Sequence, residues 1–253
     1  MLHKIQVVIF TSFLLMVTVV NGSESGLETL ISETGSARVQ LLELFSSESC
    51  SSCPPADEWI SRLKNKNNLW KTFVPIVFHV DYWNQLNWVD KLSSEPMTQR
   101  QISISKQWAN PSVYTPAFVV DGKEWSNWRK SVDYELPAPK KTNGIVLKLY
   151  KKNDGSFKVQ VGNVEKTKSY VIHIAQLGMG VTSKVTSGEN SGKLLEHNFV
   201  ILNWDSKKIG AKESVVSFKF KKIESKYSRM ALAAWIEEEF KPTSLQAVGE
   251  YIK

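Results

Sequence analysis

Apolar runs alternate with segments of helical spacing in the first half of the chain. Short, mainly apolar runs at residues 39–45, 73–82 and 113–120 predict buried strands. Between them, apolar positions recur at helical spacing over residues 54–65 and 94–108, which predicts two amphipathic helices. Because strands separated by helices require crossover connections, this half is predicted to form an α/β sheet.

The second half shows a different pattern, in which short apolar runs are separated by turn residues such as Asn153, Asp154 and Gly155. Seven strands are predicted there, at residues 145–150, 157–161, 170–176, 199–204, 214–220, 230–236 and 245–251. Short strands at such spacing predict a mainly antiparallel β-sandwich. Residues 230–240 also fit a helix.

A segment that combines proline, glycine and charge lies between the halves, at residues 136–144. It separates a predicted α/β domain at residues 36–137 from a predicted β-sandwich-like domain at residues 142–253. At the N-terminus, Lys4 precedes an uncharged apolar run over residues 5–20. This pattern predicts a signal peptide over residues 1–22, and hence a periplasmic or secreted protein. An uncleaved membrane anchor is the alternative.

Charge is unevenly distributed along the chain, whose formal net charge is +7. Residues 1–137 carry a net charge of −2, and residues 138–253 carry a net charge of +9. The basic half is a candidate for association with an anionic envelope surface, and lysines scattered over exposed strands are the simpler explanation. No cluster of Lys or Arg is interleaved with aromatic residues, so nucleic-acid binding is not predicted.

The two cysteines of the chain, Cys50 and Cys53, lie between the first predicted strand and the first predicted helix. A strand, a short loop, a C-x-x-C and a helix form the redox arrangement of a thioredoxin fold. Free backbone N–H groups and the helix dipole favour a thiolate at Cys50, the predicted nucleophile, while Cys53 would resolve a mixed disulfide. Ser51 and Ser52 are small and polar, so we expect an accessible outer sulfur. An inert disulfide across one turn is the alternative.

Thr115 and Pro116 open the third predicted strand and resemble the cis-proline segment of thioredoxin-like proteins. A cis bond would leave the Thr115 backbone free to pair with an incoming chain beside the sulfurs. An ordinary trans proline at the start of an edge strand is the alternative. Tyr114, Asp81 and Trp83 are candidates for the same substrate groove, and packing between domains is the alternative for the two aromatic residues.

Glu43 lies within the first predicted strand, seven residues before Cys50, among apolar neighbours. Thioredoxin relatives often keep a buried carboxylate one position closer to the first cysteine. Burial would raise the pKa of Glu43 and let its carboxylate accept the Cys53 proton. A salt-bridged or edge position is the alternative.

Several motifs together resemble a family of predicted secreted bacterial proteins of unknown function. They are Glu43-Leu44-Phe45, Ser47-Glu48-x-Cys50-Ser51-Ser52-Cys53-Pro54-Pro55-Ala56-Asp57, His79-Val80-Asp81-Tyr82-Trp83, Val113-Tyr114-Thr115-Pro116 and Gly188-Glu189-Asn190-x-Gly192. The resemblance implies a thioredoxin-like N-terminal domain and carries no reaction with it. Ala117 departs from the family, in which a Gln commonly follows the Thr-Pro pair.

The sequence favours an exported thiol–disulfide oxidoreductase whose partners are protein or small-molecule thiols and disulfides. A non-catalytic extracytoplasmic binding module with a structural disulfide is the main alternative. A third reading is a copper carrier that uses Cys50, Cys53 and His79, since thiolates suit copper(I). With one cysteine pair and four histidines in the chain, we predict no structural metal site and no cofactor.

Overall fold

The computed structural model describes residues 28–109, 111–141, 144–210, 213–223, 227 and 229–252. The predicted signal peptide lies outside these residues. Within the described ranges, no helix is both long and apolar enough to cross a bilayer.

Strands dominate the described chain. The elements in chain order are β1 (Glu28–Glu33), β2 (Gln40–Ser46), α1 (Pro54–Arg62), β3 (Phe73–His79), α2 (Glu95–Ser105), β4 (Ala117–Val120), β5 (Lys123–Glu124), β6 (Val146–Lys152), β7 (Phe157–Gly162), β8 (Tyr170–Met179), β9 (Val181–Lys184), β10 (Leu194–His197), β11 (Val200–Ile209), β12 (Val215–Phe218), β13 (Arg229–Glu238) and β14 (Lys241–Ile252).

The main sheet contains eight strands in the order β14-β13-β8-β11-β3-β2-β4-β5. The pairs β2/β3 and β3/β11 are parallel, and the other neighbours are antiparallel. A second sheet, β1-β6-β7-β12, is antiparallel throughout. The hairpin β9-β10 stands apart from both sheets.

β2 and β3 are buried along their whole length, which explains their nearly continuous apolar sequences. A proline at position 75 is unusual in such a central strand, because proline cannot donate to a ladder. It is tolerated because β11 pairs with β3 only around Val77, whose N–H donates to the Phe199 carbonyl at 2.9 Å. β11 therefore joins the two halves through a short parallel contact.

A single apolar core continues across that contact. Phe45, Phe78 and Ile104 of the first half pack in one cluster with Leu177 and Trp235 of the second half. A separate cluster fills the space between the second sheet and the strands β8, β13 and β14. Burial alternates along β7, as expected for a strand with one face on a core.

The predicted fold class, an α/β thioredoxin-like domain followed by a mainly antiparallel β-sandwich domain, is wrong. Strands account for 44% of the structure and helices for 14%, with two α-helices among the described residues. The physical reason is that β8, β11, β13 and β14 extend the sheet of the first half. The strands of the first half therefore do not form a separate sheet. The domain boundaries at 36–137 and 142–253 stay a prediction.

The seven strands predicted in the second half are all present, and residues 230–236 are strand rather than helix. The sequence patterns missed β1, β5, β9 and β10. β5 has two residues, and β9 and β10 have four each, too few to show a clear period. The third predicted strand is shorter than expected, because only Ala117–Val120 pairs with a neighbour on β2.

A buried ion cluster ties α2 to strands from both halves. The Arg100 side chain donates to Glu43 Oε1 on β2 at 2.5 Å and to Glu237 Oε1 on β13 at 2.7 Å. Trp235 Nε1 also donates to Glu237 Oε1, at 3.0 Å. The Arg100 guanidinium lies over the Trp235 ring, 5.1 Å from its centroid. One cation therefore compensates two buried carboxylates from distant parts of the sequence.

Arg100→Leu should lower the free energy of unfolding by about 3–5 kcal/mol, because it leaves Glu43 and Glu237 buried without their cation. Urea unfolding, followed by circular dichroism, measures the change. Arg62→Leu is the matched control, since Arg62 pairs with Glu58 at the solvent-exposed surface of α1 and should barely move the midpoint. Equal midpoints for the two variants would show that the buried cluster does not hold the halves together.

Candidate functional site

The cysteine loop spans residues 47–53, between the end of β2 and the start of α1. Cys50 N donates to the Ser47 carbonyl and Cys53 N to the Cys50 carbonyl, both at 3.2 Å. Cys53 is the N-cap of α1, and two prolines occupy the first helical positions. Proline suits those positions because their N–H groups would have no partner within the helix. The loop therefore places both cysteines at the positive end of a helix dipole.

The two thiols have strongly different proton affinities. A hydrogen bond from the Cys53 thiol is the largest influence on Cys50, and the Ser52 hydroxyl, 3.2 Å from Cys50 Sγ, adds to it. Together they lower the pKa of Cys50 to about 6, against the opposing effect of burial. Burial, followed by the hydrogen bond to Cys50 and then by the negative charge of Cys50, raises the pKa of Cys53. At neutral pH, Cys50 is the thiolate and Cys53 the thiol.

Both sulfurs are less accessible than the sequence predicted. Cys50 is 1% exposed and Cys53 is fully buried, while Ser51 and Ser52 between them are exposed. The expectation of an accessible outer sulfur is therefore wrong for this conformation. The small side chains of Ser51 and Ser52 are themselves exposed to solvent, but Cys50 stays buried beside them.

The second half of the chain closes over the cysteine loop through residues 188–192. Asn190, which is fully buried, donates to the carbonyl oxygens of Glu48 at 2.8 Å and Cys50 at 3.0 Å. The exposed Glu189 carboxylate accepts a hydrogen bond from Ser51 N at 3.0 Å. Gly188 has a φ of +74°, and a Cβ there would lie 2.9 Å from the Leu86 carbonyl oxygen. The glycine is required at this close approach.

The Thr115–Pro116 peptide bond is cis, as predicted. The Thr115 carbonyl oxygen lies 3.8 Å from Cys50 Sγ, so this segment does adjoin the cysteine pair. Gln101 of α2 holds the segment by donating from Nε2 to the Tyr114 carbonyl at 2.7 Å. The Gln101 amide oxygen accepts from the Tyr82 hydroxyl at 3.2 Å. Burial is the main cause that raises the pKa of Tyr82, and an interaction with Cys53 adds to it.

Three other predicted site residues take part in contacts around this region. Asp81 Oδ1 accepts from the Thr98 hydroxyl of α2 at 2.6 Å. The Tyr114 hydroxyl donates to Glu124 of β5. Trp83 packs against the first core cluster, and its ring lies 6.1 Å from that of Tyr82. Among them, Tyr114 is the residue tied through its backbone to the segment beside Cys50.

Glu43 lies in the Arg100 cluster, and a different carboxylate acts on Cys53. Burial raises the pKa of Glu43 to about 7 despite the Arg100 guanidinium. The charge of Asp57, in the first turn of α1, contributes to the raised pKa of Cys53. Burial also raises the pKa of Asp57 itself. The sequence analysis did not single out Asp57, because an acidic residue in a first helical turn is usually explained by the helix dipole.

A histidine cluster lies behind the cysteine loop, defined by Glu48, Asp57, His79, Asp90 and His197. Ligand atoms of Asp57, His79 and His197 all lie within 4.8 Å of one another. Burial opposes the charged form of His79, but nearby carboxylates, Asp90 foremost, raise its pKa to about 9. His79 therefore lies beside Asp57 and His197. It does not group with the two cysteines, as the copper-carrier hypothesis requires. His197 comes from β10, a strand that the sequence pattern did not reveal.

A family model described as protein of unknown function (DUF1223) matches residues 41–237. This chain belongs to that family. No curated protein matches this chain.

Two solved structures resemble this DUF1223 protein. Protein AGR_C_4864 from Agrobacterium tumefaciens has a TM-score of 0.59 and 18% identity, over 85% of this chain and 95% of that one. HBP35 of Porphyromonas gingivalis has a TM-score of 0.50 and 15% identity, over 85% of this chain and 75% of that one. At such identities the likeness concerns the fold alone.

Alkylation of reduced protein by iodoacetamide should show a midpoint near pH 6 for Cys50, because the thiolate is the reacting form. Cys53→Ala should raise this midpoint, since the Cys53 thiol is the largest influence that lowers the Cys50 pKa. Ser52→Ala should raise it less. Mass spectrometry of the modified peptide gives the rate at each pH.

Unfolded protein in urea is the control, in which both thiols should titrate near their ordinary value of about 8.5. A midpoint near 8.5 for Cys50 in the native protein would contradict the thiolate assignment.

Proposed function

We propose that this DUF1223 protein is a thiol–disulfide oxidoreductase, with Cys50 as nucleophile and Cys53 as resolving thiol. The observation that carries the proposal is the position of both cysteines at the N-terminus of α1, with Cys50 Sγ 3.8 Å from the Thr115 carbonyl oxygen beside the cis Pro116. The opposite displacement of the two pKa values supports it, because a lowered pKa supplies an attacking thiolate at Cys50 and a raised one keeps Cys53 protonated until it is needed. A disulfide with only a structural role does not require such a difference.

The exchange proceeds in two balanced steps. Cys50 thiolate attacks one sulfur of a substrate disulfide, the substrate S–S bond breaks, and one substrate thiolate leaves. Cys53 then attacks the sulfur of Cys50, and the second substrate sulfur leaves with the Cys53 proton as a thiol. The substrate gains two electrons and the Cys50–Cys53 pair becomes a disulfide. The reverse sequence oxidises a dithiol substrate.

The Thr115 segment supports the proposal because it offers main-chain groups beside the nucleophile. A partner chain in extended conformation could pair with this backbone while its disulfide meets Cys50 Sγ, 3.8 Å from the Thr115 carbonyl oxygen. Since Cys50 is 1% exposed, the partner must first displace neighbouring groups. The exposed Ser52 and the Glu189–Ser51 contact are the groups on the solvent side of the loop.

The proposed setting is outside the cytoplasm, where disulfides persist. The N-terminal charge and apolar run support export. The net charge of +9 on residues 138–253 supports association with anionic envelope components. Protein or small-molecule thiols and disulfides are the proposed partners.

Cys50→Ser should abolish thiol exchange with a mixed disulfide of glutathione and a peptide, because it removes the nucleophile. Cys53→Ser should accumulate a covalent adduct at Cys50, because the resolving step is lost. Stopped-flow kinetics and intact mass spectrometry measure the two outcomes. Wild-type protein that exchanges no faster than the Cys50→Ser variant would exclude the oxidoreductase and favour a binding module with a structural disulfide.

A further inference from the structure

Both histidines of the histidine cluster carry ring nitrogens that have no hydrogen-bond partner. His79 Nε2 and both ring nitrogens of His197 form no hydrogen bond, although both side chains are at most 1% exposed. His197 Nδ1 lies 3.7 Å from Asp57 Oδ2, and the two imidazole rings are perpendicular with centroids 4.8 Å apart. Buried polar atoms normally have partners, so a missing group is indicated at the point where these atoms converge.

A second carboxylate lies close to the other nitrogen of each ring, as a hydrogen bond for His79 and at ion-pair distance for His197. His79 Nδ1 lies 2.6 Å from Asp90 Oδ2, and His197 Nε2 lies 3.3 Å from Glu48 Oε1. Metal-binding histidines commonly donate their other ring N–H to a carboxylate, which fixes the tautomer and turns the free nitrogen toward the ion. His79 has this arrangement with Asp90, and His197 has the Glu48 carboxylate within ion-pair distance of its Nε2.

The outer carboxylates are themselves fixed by the backbone and by an indole. Asp90 Oδ2 accepts from Glu48 N, and Asp90 Oδ1 accepts from Leu92 N, both at 2.9 Å. Glu48 Oε2 accepts from Trp88 Nε1 at 2.8 Å. Such anchoring preserves the orientation of both imidazoles, which a preformed ion site requires.

The negative charge of the cluster favours a cation that carries a charge of +2 or more. Three buried carboxylates, from Glu48, Asp57 and Asp90, surround the two imidazoles, and an uncompensated buried carboxylate is costly. Two imidazole nitrogens and one carboxylate oxygen are a ligand set that suits zinc, with a fourth position left for water. Asp57 and His197 also line a surface pocket between α1 and β10, which provides a route for an ion.

We propose that Asp57, His79 and His197 bind a divalent transition-metal ion, of which zinc is the best match. The ligands come from α1, β3 and β10, so the ion would join the cysteine helix to the hairpin of the second half. This proposal does not depend on thiol exchange, because neither cysteine belongs to the ligand set.

The test uses the Cys50→Ser/Cys53→Ser double variant of the full chain, so that thiolates cannot bind the metal. After treatment with a chelator, isothermal titration with zinc chloride should give one equivalent bound. In this background, His79→Gln and His197→Gln should each weaken binding by at least about 100-fold. Asp90→Asn should weaken it by about 10- to 100-fold, as for other outer carboxylates.

His173→Gln is the matched control, because His173 is also buried and lies 3.2 Å from a carboxylate, Glu237, but outside the cluster. This variant should keep its zinc affinity. Zinc should also raise the thermal midpoint of the thiol-free protein, a readout that does not require the histidine variants to fold. The proposal is overturned if the thiol-free protein binds no zinc, if zinc binds only when the thiols are present, or if folded His79→Gln and His197→Gln variants bind as tightly as His173→Gln.

Discussion

The Cys53 thiol donates a hydrogen bond to Cys50, and the chemistry of the site depends on this bond. It stabilises the Cys50 thiolate, while burial keeps the proton on Cys53. The geometry that permits it belongs to a loop of seven residues between β2 and α1. Asn190, from the second half, fixes the loop through two of its carbonyl oxygens. The reactivity of the thiols is therefore a property of the whole fold.

Both buried ionic clusters lie where the two halves of the chain meet. The Arg100 cluster joins α2 to β2 and β13, and the histidine cluster joins α1 and β3 to the β9-β10 hairpin. Buried charges contribute little net stability compared with apolar packing, but they penalise arrangements in which a partner is missing. Their positions are consistent with a role in fixing how the second half docks, while apolar residues such as Phe78 and Trp235 supply most of the buried area.

Local features of the site could be predicted from the sequence, and long-range ones could not. The apolar runs of β2 and β3, the helix after Cys53 and the cis bond before Pro116 each follow from residues close together in the chain. The shared sheet does not, because strand patterns do not state which strands pair. For Glu43 the sequence left open a role at the cysteines and a salt bridge, and Arg100 supplies the salt bridge from a distant part of the chain. Asp57 is close to Cys53 in the chain, but its role was hidden by the usual helix-dipole explanation. His197 reaches the site only through tertiary packing, and Gly188-Glu189-Asn190 was the motif of the second half that the family resemblance singled out.

The reduction potential of the Cys50–Cys53 couple, measured by equilibration with glutathione, tests the central claim most directly. A stabilised thiolate favours the reduced form and makes the disulfide more oxidising. With a Cys50 pKa of about 6, we expect a potential between about −270 and −120 mV, the range of dithiols that exchange disulfides. A potential below about −300 mV, which is typical of structural disulfides, would contradict the account.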